Sequence, residues 1–427
     1  MTLSRRFFWI NLFALFYAGV CFWLAQGWID DLGKTLRSEG LALAIVLFIA
    51  ILPGYLNILL LTTLYFYRYK PVRPRKEMFP PVTILMAAYN EEEAARETFR
   101  GIRQQDYPNQ VEVVVVDDGS TDATVEDLRR LNFPNLKIVS IPHGGKSNAL
   151  NRGLQEVSHD IVVTIDADTF LTPSALRQIV ARILSDPAYA AVAGHVLVKN
   201  ERSSRLGRLQ AWDYMLGISA VKRQQGLFNG TLVAQGAFSA FRKSALQSVK
   251  GWRDRIGEDI VLTWSFLEKG YRIGYEPTAF AFTNAPDNYR RFSRQRQRWA
   301  RGMIEGFRDH LSLIWRGKSY SSFFVALDLF FPLIDFFYTF VFMPGVILAF
   351  FGNYTIAGPM TLLVIPINLC IIVTMLRSQR RFMEFAGLRI RHNPVGMAFY
   401  ILLYQFLISP VCVLGYTKEA FRVRRKW

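Results

Sequence analysis

The chain has 427 residues, of which 51% are hydrophobic and 14% aromatic, and a formal net charge of +17. Long apolar runs exclude a wholly soluble protein. Basic clusters at 68–76, 290–308, 377–391 and 418–426 each abut such a run, which places the charge at membrane boundaries and argues against nucleic acid as a partner. Cys21, Cys370 and Cys412 all lie in apolar segments, so the polar middle has neither a disulfide framework nor a thiolate metal site, as suits a reducing compartment.

Ser4-Arg5-Arg6 precedes an apolar run over residues 7–26, long enough to cross a bilayer. No small-residue cleavage site follows cleanly and a second apolar run comes soon after, so this is read as a retained helix. A charged loop at 30–39 leads to a second span at 41–67, kinked at Pro53-Gly54. Residues 1–76 therefore form two membrane helices and a basic, proline-broken linker.

Residues 77–287 alternate strand and helix. Strands are predicted at 82–88, 111–116, 137–141 and 161–165, and helices at 91–105, 123–131, 146–157 and from Thr172-Pro173 to about 184. Ser120-Thr121-Asp122 is expected to cap the second of these helices. This order predicts an α/β domain with a parallel sheet and helices on both faces. Ligands then bind at the carboxyl ends of the strands, where Tyr89-Asn90-Glu91, Asp117-Asp118 and Asp166-Ala167-Asp168 fall. The second half is less regular: a long helix at 203–223, a strand-like segment at 233–242 holding Gln235 and Gly236, and a helix at 258–269.

Residues 288–320 are read as interfacial helices, and 321–427 as about three membrane helices with a basic tail, near 323–350, 359–375 and 395–416. Three spans would put the basic tail outside, against the positive-inside rule, so the first run begins as an interfacial helix or one span is re-entrant. Asp328, Asp335, Asn368 and Gln405 are compatible with a polar pore or with hydrogen bonds between helices.

Several constellations carry chemistry. Asp166 and Asp168 end an apolar strand, and two like charges so close call for a cation. With no His or Cys nearby, oxygen ligands select Mg2+ or Mn2+. Asp117 or Asp118 could accept from a base or sugar. His143-Gly144-Gly145-Lys146 opens a helix with a flexible turn, free backbone N–H groups and a cation, suited to phosphate. Gly236 lets a ligand approach the backbone. Glu258 and Asp259 supply further carboxylates, which taken singly read as helix-start residues. Finally, Gln295, Arg298 and Trp299 form Gln-x-x-Arg-Trp; at i, i+3 and i+4 they share one helical face offering an amide, a guanidinium and an indole. Arg290, Arg291, Arg294, Arg296 and Arg301 around them point to a helix lying at anionic lipid head groups.

In this order, strand-Asp-Asp, strand-Asp-x-Asp, Glu-Asp and Gln-x-x-Arg-Trp between membrane spans, the chain resembles the family 2 membrane-integrated processive glycosyltransferases. The resemblance covers roughly residues 81–310. Gly-Lys-Ser-Asn-Ala-Leu-Asn, the Glu-Asp-Ile segment and the short tail are most similar to bacterial poly-β-1,6-N-acetylglucosamine synthases. What it implies is a cytosolic GT-A domain in the plasma (inner) membrane, using a UDP-sugar and a divalent metal to extend a polysaccharide, with inversion at the anomeric carbon and, in some members, a small membrane accessory subunit.

By motif, the resemblance assigns Tyr89, Glu91, Asp117 or Asp118, Lys146 and Asp166 to the donor. Asp168 and Asp166 would hold the metal, with Asp168 the direct ligand. Asp259, beside Glu258, matches the catalytic base, although Gly257 stands where the family motif has threonine. Gln295 and Arg298 would secure the diphosphate, and Trp299, with Gln235 and Gly236, the acceptor. A lipid glycosyltransferase adding a single sugar shares these motifs and is the competing reading; a transporter without chemistry would not need the acids.

Overall fold

The computed structural model describes residues 2–316, 319–389 and 394–423; the ends of the basic clusters at 377–391 and 418–426 lie outside the described residues. The first helix, α1 (Leu3–Leu24), begins at Thr2, whose hydroxyl accepts from the Arg5 N–H. A loop was expected next, but Gln26–Leu36 is helical and buries Ile29, Leu32 and Gly33 on one face. The i, i+3, i+4 spacing of those residues makes that face apolar while Asp30, Asp31 and Lys34 stay outside it. The second span, α2 (Glu39–Phe66), contains a π turn at Leu47–Ile51 just before Pro53. Proline has no N–H to give its preceding turn, and the widened turn, with Leu52 N–H reaching Leu47 carbonyl, absorbs the defect.

The polar middle runs β1 (Val82–Ala88), α3 (Glu92–Arg103), β2 (Val111–Asp117), α4 (Thr124–Arg130), β3 (Leu136–Ser140), α5 (Lys146–Glu156) and β4 (Ile161–Ile165). It continues with β5 (Phe170–Leu171), α6 (Ala175–Leu184), β6 (Tyr189–Val198), α7 (Arg205–Asp213), α8 (Val221–Leu227), β7 (Phe238–Arg242), α9 (Glu258–Glu268), β8 (Arg272–Thr283) and α10 (Tyr289–His310). A π turn at Tyr214–Ala220 joins α7 to α8, so the long helix expected at 203–223 exists but is widened in its middle. The strands order as β3-β2-β1-β4-β7-β6-β8-β5.

This sheet is mixed, not wholly parallel. β1 pairs in parallel with β2 and β4, and β2 with β3, but β7 runs antiparallel to both β4 and β6. The parallel half was expected because β2 and β4 are unbroken apolar runs, the pattern of strands covered on both faces. Those covers are two apolar layers, one containing Ile84, Val113, Phe99 and Ile179, the other Leu85, Val114, Leu150 and Phe241.

Beyond α10 come α11 (Tyr320–Phe350), α12 (Pro359–Phe385) and α13 (Pro394–Ala420). Among the described residues, four helices are long and apolar enough to cross a membrane: α1, α2, α11 and the Val395–Ala420 part of α13. The polar groups of these helices bond to one another. Asp335 accepts from Ser409 Oγ at 2.6 Å, Gln405 Nε2 at 3.2 Å and the Tyr416 hydroxyl at 2.9 Å. Asp335 and Gln405 are thus glue between α11 and α13, the alternative to a pore lining.

α10 is held from two sides. On one, its Gly302 packs against Gly257 at the start of α9, where a Cβ on Gly257 would stand 2.5 Å from Gly302 Cα. Glu305 reinforces the contact by accepting from the Gly257 N–H at 3.0 Å. On the other, the end of α13 docks onto α10, with Glu419 taking Arg301 Nε and Arg308 Nη1, each at 3.0 Å. Lys418 Nζ donates to Gln297 Oε1 at 2.6 Å. Arg296 and Arg301 therefore do not face lipid head groups. Arg296 is 3% exposed, and Arg301 is spent on Glu419, while Arg290, Arg291 and Arg294 remain exposed.

Two outcomes follow. Glu419→Ala leaves the Arg301 guanidinium nearly buried without its carboxylate, and should cost about 2 kcal/mol or more; thermal unfolding in detergent reads this, and an unshifted Tm would remove the clamp. Gly257→Thr, which restores the residue of the family motif, should destabilise the chain by about 2 kcal/mol or displace α9, because its Cβ has only the backbone of Gly302 to push against. Wild-type stability in that variant would show that the helices can part freely.

Candidate active site

The site lies at the carboxyl ends of β1, β2 and β4. Tyr89, 44% exposed, stacks on His143, with ring centroids 4.4 Å and planes 29° apart. Asn90 takes a left-handed backbone, φ 56°. Its N–H donates to Ser120 Oγ at 3.0 Å and its Oδ1 accepts from the Thr121 N–H at 2.8 Å, which staples the loops after β1 and β2 together. Such a conformation persists only where neighbours over-determine it. The Glu91 N–H donates to Thr124 Oγ1 at 2.8 Å. Asp122 accepts from the Thr124 N–H at 3.0 Å, but α4 starts at Thr124 with Ala123 as its N-cap, so the expected side-chain cap from 120–122 is not formed.

Asp117 and Asp118 are 4% and 3% exposed. Asp117 Oδ1 accepts from the Ser120 N–H at 3.0 Å. Asp118 accepts from the N–H groups of Gly144 at 2.8 Å and Gly145 at 2.9 Å, and its Oδ2 lies 2.9 Å from His143 Nδ1. The Gly144 and Gly145 N–H groups, expected to be free for phosphate, are therefore engaged. What this turn presents to a ligand is Lys146 and the His143 ring.

β4 stops at Ile165, and Asp166-Ala167-Asp168 is a turn, closed by the Thr169 N–H on the Asp166 carbonyl at 3.0 Å, rather than the extended strand end expected. The carboxylates are still neighbours. Burial and the charge of Asp166 both push the Asp168 carboxyl above its ordinary range. Burial, then Asp168, Asp166 and Asp122, push Glu91 up to about 7. Carboxyls that hinder one another's ionisation in this way are relieved by a cation among them. Asp166 Oδ1 sits 2.5 Å from Lys146 Nζ, whereas Asp168 gives one oxygen to the Thr283 hydroxyl at 3.1 Å. Asp168 is thus the freer ligand. No group of three or more His, Cys, Asp or Glu that could hold a metal ion occurs among the described residues. A hard divalent ion that fills its shell with phosphate oxygens and water fits this donor set; zinc does not. A cavity of about 580 Å3 opens beside Glu91 and Asp168.

Lys146 links the strand ends to α9, with Glu258 Oε1 at 3.7 Å from its Nζ. Burial depresses its ammonium, but Asp166 and Glu258 outweigh that and hold it above its ordinary value. Gly236 lies against Lys146, where a Cβ would stand 2.7 Å from Nζ and displace the end of that side chain. Gln235 turns away from this point and donates to the Gly194 carbonyl at 2.8 Å. Glu258 is pushed up to about 7, by burial first, against Lys146 and with the help of Asp259. Asp259 Oδ1 accepts from the Ile260 N–H at 2.9 Å.

α10 closes the site. Arg298 is exposed, and its charge acts on both Lys146 and Glu258. Gln295 Oε1 is buried with no hydrogen-bond partner among the described residues. Arg296 lies 4.1 Å over one face of the Trp299 ring, and the Tyr214 ring, tilted by 50°, has its centroid 6.4 Å away. Arg296 in turn pairs with Asp213 at 2.8 Å. The Asp213–Arg296 pair, the His143 ring and Lys222 went unread in the sequence. Lys222 is 7% exposed; burial pushes its ammonium down to about 7, with Asp259 pulling the other way. No sequence signal marks it, because only packing shows that this lysine faces inward.

Residues 83–250 match the family Glycosyl transferase family 2. The chain is 32% identical over 267 residues to the poly-beta-1,6-N-acetyl-D-glucosamine synthase of Staphylococcus aureus strain COL, covering 60% of this chain and 64% of the relative. It is 33% identical over 238 residues to the synthase of the same name from Staphylococcus epidermidis, covering 54% and 56%. The chain thus spans less than two thirds of the length of these relatives. The structure of the mannosyltransferase PcManGT from Pyrobaculum calidifontis in complex with GDP-Man and Mn2+ superposes with a TM-score of 0.58 at 21% identity, covering 89% of this chain and 99% of that one. The fold is therefore GT-A, a Rossmann-like mixed sheet, flanked here by apolar helices, and residues 83–250 within it are similar to glycosyl transferase family 2.

Proposed function

We propose that the protein is an inverting glycosyltransferase that transfers N-acetylglucosamine from UDP-N-acetylglucosamine to the end of a growing β-linked polysaccharide, and that the product leaves through its membrane helices. The observation that carries this reading is the meeting of Asp166, Lys146 and Glu258 in one contact, with Asp168 two residues from Asp166 and with Arg298 and Trp299 together on α10. Staphylococcal relatives named as poly-beta-1,6-N-acetyl-D-glucosamine synthases support the choice of sugar and polymer. The basic boundaries at 68–76 and 377–391 support a cytosolic catalytic domain at the plasma membrane, with 77–287 as that domain and 288–320 as its interfacial edge.

In this reading the uracil lies against Tyr89, with Asp117 and Asp118 shaping its pocket and Glu91 at its edge. Asp168, with Asp166, holds Mg2+ or Mn2+, which supplies charge for the leaving diphosphate. Lys146, Arg298 and Gln295 bind the phosphate oxygens. The acceptor sugar stacks on Trp299, near the Gln235-Gly236 backbone. Its hydroxyl oxygen bonds to the anomeric carbon as the bond from that carbon to the diphosphate oxygen breaks. The hydroxyl proton passes to Asp259, and UDP leaves with the electron pair of the broken bond. Glu258 holds Lys146 in place.

Purified protein given Mg2+ or Mn2+ and labelled UDP-N-acetylglucosamine, UDP-glucose or UDP-glucuronate should build a high-mass product from the first. A labelled lipid of one sugar instead of a polymer would overturn the proposal. Asp259→Asn should lower transfer about a hundredfold or more while donor binding persists; loss of donor binding would move Asp259 out of the base role. Trp299→Ala should slow elongation more than donor hydrolysis, and equal loss of both would count against acceptor stacking.

A further inference from the structure

A groove of about 720 Å3 opens where the ends of β6 and β8 meet the end of α12. Arg202, Arg208 and Arg389 line it, all exposed, and none of their side chains makes a hydrogen bond or ion pair with a described residue. Its apolar side includes Trp212, Met215 and Leu388. Those three belong to, or pack on, the apolar cluster that also contains Ile371, Met375 and Met383 of α12. The groove wall is therefore continuous with the surface of a long apolar helix.

The anchoring is specific. Gln379 of α12 donates to the Met215 carbonyl at 2.9 Å. Arg223 of α8 bonds the Gln379 side chain and lies 4.0 Å over the Phe382 ring. These contacts fix the groove beside the stretch of α12 that turns basic at Arg377, Arg380 and Arg381, the level at which lipid phosphates sit.

We propose that this groove binds one anionic glycerophospholipid, its phosphate against Arg202, Arg208 and Arg389 and an acyl chain along Trp212, Met215 and Leu388. Guanidinium groups pair phosphate in two-pronged fashion, and an indole suits the boundary between head group and hydrocarbon. The groove is of ligand-binding size. A small soluble anion would leave the apolar half uncovered, and a neutral sugar chain would leave three guanidinium groups and Lys199 with Glu201 as the one acid in the lining. An anionic amphiphile satisfies both halves. The site stands apart from the proposed catalysis, although Lys199 lines both this groove and the cavity beside Asp168.

The test is lipid retention, read without any sugar transfer. The full chain is placed in nanodiscs of phosphatidylglycerol and phosphatidylcholine in equal amounts, released, and weighed by native mass spectrometry. The wild type should retain phosphatidylglycerol over phosphatidylcholine by about tenfold. The triple variant R202Q/R208Q/R389Q should fall to near parity. The variant R68Q/R73Q/R75Q removes the same charge from the exposed linker after α2 and should keep the wild-type preference. If the groove variant keeps the preference, or the linker variant loses as much of it, the groove is not the site. Should the triple variant fail to fold, R208Q alone, measured against R73Q alone, makes the same comparison on a smaller scale, and equal retention by the two would overturn the proposal.

Discussion

The contact between Gly257 and Gly302 sets the distance between two helices that carry different parts of the site. A Cβ on either glycine would stand within about one bond length of the other helix's backbone clearance, at 2.5 Å and 2.6 Å from the opposing Cα atoms. Removing both side chains lets the start of α9, with Glu258 and Asp259, lie directly on α10, with Arg298 and Trp299 on the turn before Gly302. Close packing of this kind transmits position because interiors yield little. The departure from the family motif at Gly257 and the glycine of Arg-Trp-Ala-Arg-Gly are thus one feature seen from two helices. Asp213–Arg296 then fixes the rotation of α10, with the guanidinium pressed on the Trp299 ring. A buried pair of this sort gives little net stability, and its value here is orientation.

The charges of the site explain one another in the same manner. Glu91, Asp166, Asp168 and Glu258 are neighbouring carboxyls, and among them Lys146 bonds Asp166 and approaches Glu258. Burial raises the free energy of every ionised carboxylate there, so charge has to be balanced within a few ångströms. A donor bringing two phosphates and a divalent cation adds both signs at once. In the proposed reaction, Lys146 and Arg298 would be the counter-charges for the diphosphate, and Asp168 for the metal. A site prepared in this way favours the state in which charge builds on the leaving group.

What could be read from the sequence divides along the same physical lines. β1, β2 and β4 were legible because strands covered on both faces are written as apolar runs, and their carboxyl ends gave the positions of Tyr89, Asp118 and Asp168. β6 was not: its interior is Ala-Ala-Val-Ala-Gly-His, small residues that pack under α6 without an apolar signature. β8 was hidden by Pro277 and by the shifts in its register against β6. Gln-x-x-Arg-Trp was legible as a face, yet the arginines around it looked alike. Arg296 and Arg301 find Asp213 and Glu419 at long range, and only tertiary contact separates them from Arg290, Arg291 and Arg294, which stay in solvent. Likewise the Gly144 and Gly145 N–H groups looked available because the sequence does not show that Asp118 reaches across to take them.

The docking of α13 onto α10 adds a mechanical consequence. Glu419 joins the last turn of an apolar helix to Arg301 and Arg308, and Lys418 joins it to Gln297, two residues before Trp299. Asp335 ties the other face of α13 to α11 through Ser409 and Tyr416. Trp299 therefore rests on a helix that is itself braced by the apolar helices, not only by the soluble sheet. A displacement of α13 relative to the sheet has to be taken up at α10, because the Gly257–Gly302 contact leaves no slack on the other side. An acceptor stacked on Trp299, as proposed, would feel the arrangement of the apolar helices directly, because the indole and those helices share one rigid support.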